Sequence, residues 1–174
     1  MKKILIETPR LQLRHFTEQD ADAVLDFSRD PNVTRYTGDQ GVVQNRADAL
    51  KVIRTVWLAE YQRHGFARYA LIHKGDDRVI GFCGVKFETE LDEIDIGYRM
   101  LPQYWGQGLA TEAVQATLDY ARAQLGIERI VGEVAVQNIA SQRVLQKCGM
   151  KLVKRYQRGE ELLLFVYDEP LEPL

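Results

Sequence analysis

Gln103-Tyr104-Trp105-Gly106-Gln107-Gly108-Leu109-Ala110-Thr111-Glu112 places two glycines in a turn just ahead of an apolar-periodic run. Downstream, Ala110, Val114, Leu118, Ala121 and Leu125 recur at three- and four-residue steps, the spacing of a helix face, and Gly126 is placed to end that helix in the left-handed conformation. Upstream, Glu93-Ile94-Asp95-Ile96-Gly97-Tyr98-Arg99-Met100 alternates acidic and apolar side chains as a strand does. Glu93, Asp95 and Gly97 share one face of it, and Ile94, Ile96 and Tyr98 the other. Strand, glycine turn and helix make an anion site: the first N–H groups of a helix lack internal partners, the positive end of its dipole lies there, and glycines let the backbone approach a bulky pyrophosphate.

Two common phosphate motifs fail on the residues. The dinucleotide fingerprint needs a third glycine where Thr111 stands, and the turn lies mid-chain instead of opening a βαβ unit; the Walker motif needs a Gly-Lys-Ser/Thr that is absent. Working outward, Arg10 to Phe16 alternates as a strand, and Thr17 with Glu18 and Asp20 opens a helix to about Ser28. Asp30-Pro31 starts one more helical turn, Gly38 and Gly41 mark a loop, and Asn45 caps a longer helix whose Leu50, Ile53, Trp57 and Tyr61 form a stripe ending near Gly65. Tyr69 to His73 and Val79 to Phe87 flank the turn Lys74-Gly75-Asp76-Asp77 as a hairpin. After the glycine turn and its helix, Arg129 to Val136 reads as a strand, Ile139 to Lys147 as a short helix stopped by Gly149, and Met150 to Tyr156 with Leu162 to Tyr167 as a final hairpin around Gly159. The count is about seven strands, a fold of the α/β (α+β) class.

Length and charge bound the rest. A chain of 174 residues with 23 basic and 25 acidic side chains predicts one domain over 1–174 with a self-sufficient core, and no run of like charge points to nucleic acid or a membrane surface. Met1-Lys2-Lys3-Ile4-Leu5-Ile6 starts like a leader, but Glu7 and Arg10 interrupt it, so the sequence reads as mature and cytoplasmic. Cys83 and Cys148 sit in no metal-ligand or CxxC spacing and are expected to be small apolar residues in a reducing compartment; no metal is expected. His15, His64 and His73 are scattered over separate elements and suit surface or capping roles. Trp57 has core spacing, whereas Tyr36 as a pocket residue and the orientation of Trp105 stay open.

Gln103, Gly106, Gly108 and Ala110 reproduce the (Gln/Arg)-x-x-Gly-x-Gly-x-Ala turn of the GNAT-type acetyl-CoA-dependent N-acetyltransferases, which this sequence therefore resembles. Asn138-Ile139-Ala140-Ser141 with Val144-Leu145, Lys147 and Gly149 is similar to the second signature of one branch, the ribosomal-protein N-terminal-alanine acetyltransferases and their relatives. Thr8-Pro9-Arg10-Leu11, Asp30-Pro31 and Ile96-Gly97-Tyr98 running into Pro102 resemble the same branch, so the likeness spans nearly the whole chain. Two positions depart from it: Asp95 stands where many relatives carry Glu, and Met150 where a Phe often follows Lys-x-Gly. No Tyr lies in the Asn138 to Lys147 helix, where other branches keep an acid, which leaves Ser141 in that role.

The resemblance implies a mixed, mostly antiparallel sheet flanked by helices and splayed between the Glu93 and Arg129 strands, with acetyl-CoA in the splay. It places the backbone of Tyr98, Met100 and Leu101 against the pantetheine, and N–H groups of Gln103, Gly106, Gln107, Gly108, Ala110 and Thr111 on the pyrophosphate. Asn138 and Ser141 would reach the cofactor from the other side. The implied reaction is direct acetyl transfer to a primary amine, of a protein N-terminus or a small molecule. Losing a proton at pH 7 costs an α-amine about 1 kcal/mol and a lysine roughly 4 to 5, so a base matters; Asp95 or Glu93 fits, with Glu160 and Glu161 next in line. Ser141 would protonate the thiolate. Two alternatives share the motifs: a catalytically silent CoA-binding sensor, and a transferase for another acyl group or acceptor whose cleft width is set near Cys83 and Val85. The wall of the acceptor site is expected between Asp20 and Gly65. The chain is expected to be a monomer, or a homodimer paired through the last hairpin.

Overall fold

In the computed structural model, which describes residues 2–168, eight strands form one sheet in the order β1-β2-β3-β4-β5-β6-β8-β7. Met1 and residues 169–174, the ends of the expected 1–174 domain, lie outside the described residues. The strands are β1 (Ile4–Glu7), β2 (Leu11–Arg14), β3 (Arg68–His73), β4 (Arg78–Glu88), β5 (Glu93–Met100), β6 (Ile130–Ala135), β7 (Lys151–Arg158) and β8 (Glu160–Tyr167). Seven match the sequence reading. The eighth, β1, is the Ile4-Leu5-Ile6 run, which does not alternate; Thr8 and Pro9 turn it back onto β2, with Thr8 N–H donating to Leu11 O at 2.9 Å.

The helices are α1 (Ala21–Arg29), α2 (Pro31–Thr34), α3 (Arg46–Val52), α4 (Ala59–His64), α5 (Leu109–Leu125) and α6 (Ile139–Lys147). Their starts follow local chemistry. The Asp30 carboxylate accepts from Asn32 N–H, and the Asn45 side chain from Asp48 N–H, both at 2.9 Å, so each satisfies an orphan donor. Between α3 and α4 the chain winds as a π-helix over Ile53–Leu58, which keeps Ile53 and Trp57 buried. Gly65 and Gly126 end their helices with φ of +81° and +66°.

Side-chain alternation along β4 assigns the two layers. Phe82 faces α1 and the π segment, where Trp57 lies edge-on to it at 5.8 Å and stacks on Phe16 at 4.1 Å. Cys83 faces α5, with its Sγ 3.3 Å from the Thr117 hydroxyl. Neighbouring strands are antiparallel throughout except β5 and β6, which run parallel and meet at a single ladder pair, Asp95 with Val131. Beyond that pair the two strands have no further ladder partners, and the sheet opens as the resemblance implied. No helix among the described residues is long and apolar enough to cross a membrane.

One buried ion pair locks the entry to α1. Arg14 Nη1 and Nη2 donate to the two Asp20 oxygens at 2.8 and 2.9 Å, and Thr17 N–H donates to the same carboxylate at 2.8 Å. Burial works to raise the Asp20 pKa, but the bonds from Arg14 and Thr17 outweigh it and hold the carboxyl below its usual value. Asp20→Ala, which strands the buried guanidinium, should cost about 3–5 kcal/mol and lower Tm by roughly 6–20 °C. Because the folded pKa is depressed, this stabilisation is complete above the unfolded value near ~3.9 and disappears as pH falls through the folded one. Denaturant melts of the two proteins should therefore differ fully at pH 6 and converge under strong acid.

Candidate active site

Where β5 and β6 part, a cavity of about 420 Å³ opens, lined among others by Asp95, Gly97 and Tyr98 of β5, Glu133 of β6, and Asn138 and Ser141 at the start of α6. Loop residues Tyr36, Thr37 and Gly38 close one side, within the expected Asp20 to Gly65 wall, which resolves Tyr36 as a pocket residue. The ladder decides which backbone groups face the gap. Leu101 N–H donates to Ile80 O at 2.9 Å, and Met100 lies opposite Gly81, so Leu101, Arg99, Gly97 and Asp95 turn their N–H and C=O groups toward β4. Those of Tyr98 and Met100 point away from β4, into the opening. Met100 O accepts from the Trp105 indole N–H at 2.9 Å, which places that half-exposed ring beside the opening.

Of the four carboxylates that line this cavity, Glu88, Asp95, Glu133 and Glu160, Asp95 is the one paired with Arg68. Its side chain is 13% exposed, and Arg68 Nη2 stands 3.3 Å from its Oδ1. Burial pushes its pKa up to about 6; Arg68 opposes the rise, while Glu88 and Glu133 add to it. Glu93, the other sequence candidate, is not brought into this cavity. It is held by Arg129 at 2.9 Å and lines a separate groove between the β4–β5 turn and the last hairpin. Glu161 is engaged with Arg155, whereas Glu160 does line the cavity.

On the opposite face of β5 the Tyr98 hydroxyl lies 2.8 Å from Ser141 Oγ. Burial pushes the Tyr98 pKa up to about 12, so the phenol keeps its proton at neutral pH. The Asn138 side chain accepts from Ser141 N–H at 3.2 Å and caps α6, which turns Ser141 toward Tyr98.

The glycine turn follows a 3₁₀ turn at Pro102–Tyr104, with Gly106 and Gly108 at φ of +73° and +79°. The first helical bond of α5 runs from Glu112 N–H to Gly108 O at 3.1 Å, leaving the N–H groups of Leu109, Ala110 and Thr111 without i−4 partners. A Cβ on Gly106 would meet nothing within 4 Å, so the turn is an open cradle. It is braced from outside: Arg10 donates to Gln107 O at 2.8 Å and to Glu112 at 3.1 Å, Thr8 donates to Glu112 at 2.9 Å, and Gln107 Nε2 reaches Gln103 O at 3.2 Å. These features fit a pyrophosphate and an extended amide chain.

Several residues fall elsewhere than the sequence suggested, or escaped it. Cys83 and Val85 are fully buried against the core, on the face opposite Phe82, and do not line the cavity, so they do not set its width. Both cysteines are free and buried, as expected. His15, His64 and His73 lie outside the cavity lining. Leu101 spends its N–H on Ile80 and its side chain is buried. Arg68 and Glu133 were missed. Glu133 accepts from the Tyr156 hydroxyl and from Arg158 of the last hairpin, a meeting of distant strands that leaves no local pattern.

The profile of the acetyltransferase (GNAT) domain matches residues 10–151. The chain belongs to the GNAT acetyltransferase family. It is 34% identical over 92% of its length, and 91% of the relative's, to the uncharacterized N-acetyltransferase p20 of Bacillus licheniformis. Among solved structures it is similar to a GNAT-family acetyltransferase of Bacillus anthracis, with TM-score 0.79 and 24% identity over 92% of this chain and 96% of that one. It is similar also to RimL, a ribosomal L7/L12 α-N-protein acetyltransferase solved in complex with coenzyme A, with TM-score 0.81 and 19% identity over 94% and 97%. GNAT acetyltransferases use acetyl-CoA, and this chain is an N-acetyltransferase by family.

The balance of burial against Arg68 makes a direct prediction for the free protein. Carbon-detected NMR of the Asp95 carboxyl should show a midpoint near pH 6, well above the ordinary ~3.9 of an aspartate. A midpoint at the ordinary value would mean that water reaches the carboxylate freely.

Proposed function

We propose that this protein transfers an acetyl group from acetyl-CoA to a primary amine, of a peptide N-terminus or a small molecule, by direct attack within a ternary complex. The observation that carries the reading is the arrangement of β5: a buried carboxylate on one face, a hydroxyl pair on the other, and an open backbone edge between them. Acetyl-CoA supplies the activated thioester. The cradle of Gly106 to Thr111 suits its pyrophosphate, because orphan N–H groups and the helix dipole converge there. The outward N–H and C=O of Tyr98 and the N–H of Met100 suit its amides, with Asn138 and Ser141 across the gap.

Asp95 then takes the proton of the attacking amine, directly or through a water. A base with a pKa of about 6 is largely ionised at pH 7 yet basic enough to share a proton in the transition state. The Tyr98–Ser141 pair donates toward the departing sulfur, with Ser141 Oγ as the donor and the Tyr98 phenol replenishing it. Glu93 has no part, being tied to Arg129. Free, buried cysteines support a reducing compartment such as the cytoplasm. The RimL likeness supports an N-terminal amine among the acceptors.

Thermal shift with acetyl-CoA, CoA, NADPH and ATP tests the cofactor: at a hundred times Kd a ligand adds ~2.7 kcal/mol, worth several degrees in a chain of this size. CoA and acetyl-CoA should shift Tm and the other two should not. Gly108→Val forces a side chain onto a positive φ in the turn, so calorimetry should show CoA affinity down by roughly tenfold to a hundredfold in a folded variant. Asp95→Asn should lower kcat/KM by about 10²–10⁴ and remove the rise in rate through pH 6; an unchanged profile places the base elsewhere, with Glu160 next.

A further inference from the structure

Arg68 belongs to β3, yet its guanidinium lies against Asp95 of β5, two strands away. A row of glycines lets it cross. Gly84 pairs with Arg68 in the β3–β4 ladder, and Gly97 pairs with Gly84 in the next, so this face of the sheet carries no side chain between the arginine and its target. A Cβ on Gly97 would stand 2.5 Å from Arg68 Cζ and Nη2. Within that channel Nη1 donates to Gly84 O at 2.6 Å and to Asp95 O at 2.9 Å, and Nη2 to Asp95 Oδ1 at 3.3 Å. The Phe82 ring lies beside it, 5.9 Å from Cζ. Two backbone carbonyls and the Asp95 carboxylate accept from the guanidinium, which is 13% exposed like its partner.

Glycine in a strand interior weakens the strand, so two in register across neighbouring strands call for a reason. Gly84 admits the β3 backbone, since a Cβ there would stand 2.5 Å from Ala67 O and 2.7 Å from Arg68 Cα, and Gly97 admits the guanidinium. Other charged groups surround Asp95 without touching its carboxylate. Lys86 lies opposite it in the β4–β5 ladder and is 3.9 Å from Glu88; Glu133 is bound by Arg158; Glu160 lines the far side of the cavity. The cation in contact with the carboxylate is Arg68.

We propose that Arg68 is the positioning residue of this active site, threaded over Gly84 and Gly97 so that it fixes the Asp95 carboxylate at the cavity and favours its ionised form by direct contact. The inference rests on the reading of Asp95 as proton acceptor: one proton moves from the acceptor nitrogen to an Asp95 oxygen as the nitrogen–carbon bond forms and the carbon–sulfur bond breaks. Arg68 exchanges no proton, and the Gly97 of the Ile96-Gly97-Tyr98 motif is explained as clearance for its guanidinium.

The test titrates the Asp95 carboxyl by carbon-detected NMR in the ligand-free protein, in the wild type, Arg68→Gln, Arg68→Lys and Gly97→Ala, beside the pH profile of kcat/KM. In Arg68→Gln the midpoint should rise by about one to three pH units, and activity at pH 7 should fall roughly twofold to a hundredfold and recover in more alkaline buffer. Gly97→Ala keeps both charges but displaces the guanidinium, so it should move the midpoint in the same direction and serves if Arg68→Gln does not fold. Arg68→Lys, a point charge without the fork, should restore part of the shift. An Asp95 midpoint unmoved in both Arg68→Gln and Gly97→Ala overturns the proposal. A midpoint that rises while the kinetic limb stays fixed upholds the hold of Arg68 on the carboxylate and overturns the reading of Asp95 as the base.

Discussion

The site depends on a single ladder pair. At Asp95 and Val131 the parallel strands β5 and β6 touch, and from there they separate. An interior sheet normally pairs every backbone group on both sides, and leaving several unpaired inside a protein is costly. Here the outward groups of Tyr98 and Met100 are left at an opening, so the interruption exchanges ladder bonds for a place where an extended ligand can make them. The same separation lets residues from both faces of β5 reach one cavity, which an intact sheet forbids. The α5 helix carries the chain from β5 to the parallel β6, and its first N–H groups, at Leu109, Ala110 and Thr111, have no i−4 partners.

Burial creates a second tension, which the chain balances with one cation. A carboxylate moved out of water is driven toward its neutral form, and Glu88 and Glu133 push Asp95 further that way. Arg68 pulls back. The result near 6 belongs to neither extreme, and it is the range in which a group can hold and release a proton at neutral pH. The Arg14–Asp20 pair shows the other outcome of the same physics: there two charge-assisted bonds and a backbone N–H outweigh desolvation, and the carboxyl stays firmly ionised. One pair sits under α1 and serves stability; the other lies at an opening and is poised.

What was legible in the sequence was what local chemistry sets. The glycine turn, the α5 stripe with its terminal Gly126, the caps at Asp30 and Asn45, and the alternation that put Asp95 and Tyr98 on opposite faces all follow from spacings of a few residues. Strand β1 escaped because three successive apolar residues have no period of two, and its partner is fixed by the Thr8-Pro9 turn. Periodicity also cannot tell which face of a strand meets which helix, so Cys83 and Val85 were taken for the cleft when they face α5. Arg68 and Asp95, 27 residues apart, meet only because two hairpins stack β3, β4 and β5 in register. Even so, the glycines at 84 and 97 were a signal: isolated glycines in strand patterns mark close approach, and here the β3 backbone approaches Gly84 and the Arg68 side chain approaches Gly97.

The glycine turn and the loop that walls the cavity are built to different standards of rigidity. The glycine turn is tied to the β1–β2 segment by Thr8, Arg10 and Glu112, and its conformation is set by glycine φ angles and a long helix. The cavity wall at Tyr36 to Gly38 is a loop after a four-residue helix, held through Asp39, which binds Arg99 at 3.0 Å and the Thr37 hydroxyl. Arg99 in turn lies over Phe82, 4.8 Å from its centroid, on the face that also carries Arg68 and Asp95. Changes in that loop can therefore reshape one wall of the cavity while Asp95, Arg68 and the glycine turn stay where the sheet and α5 put them. The groups proposed to handle the proton are anchored in β3 and β5, not in that loop, so sequence change in the loop leaves them in place.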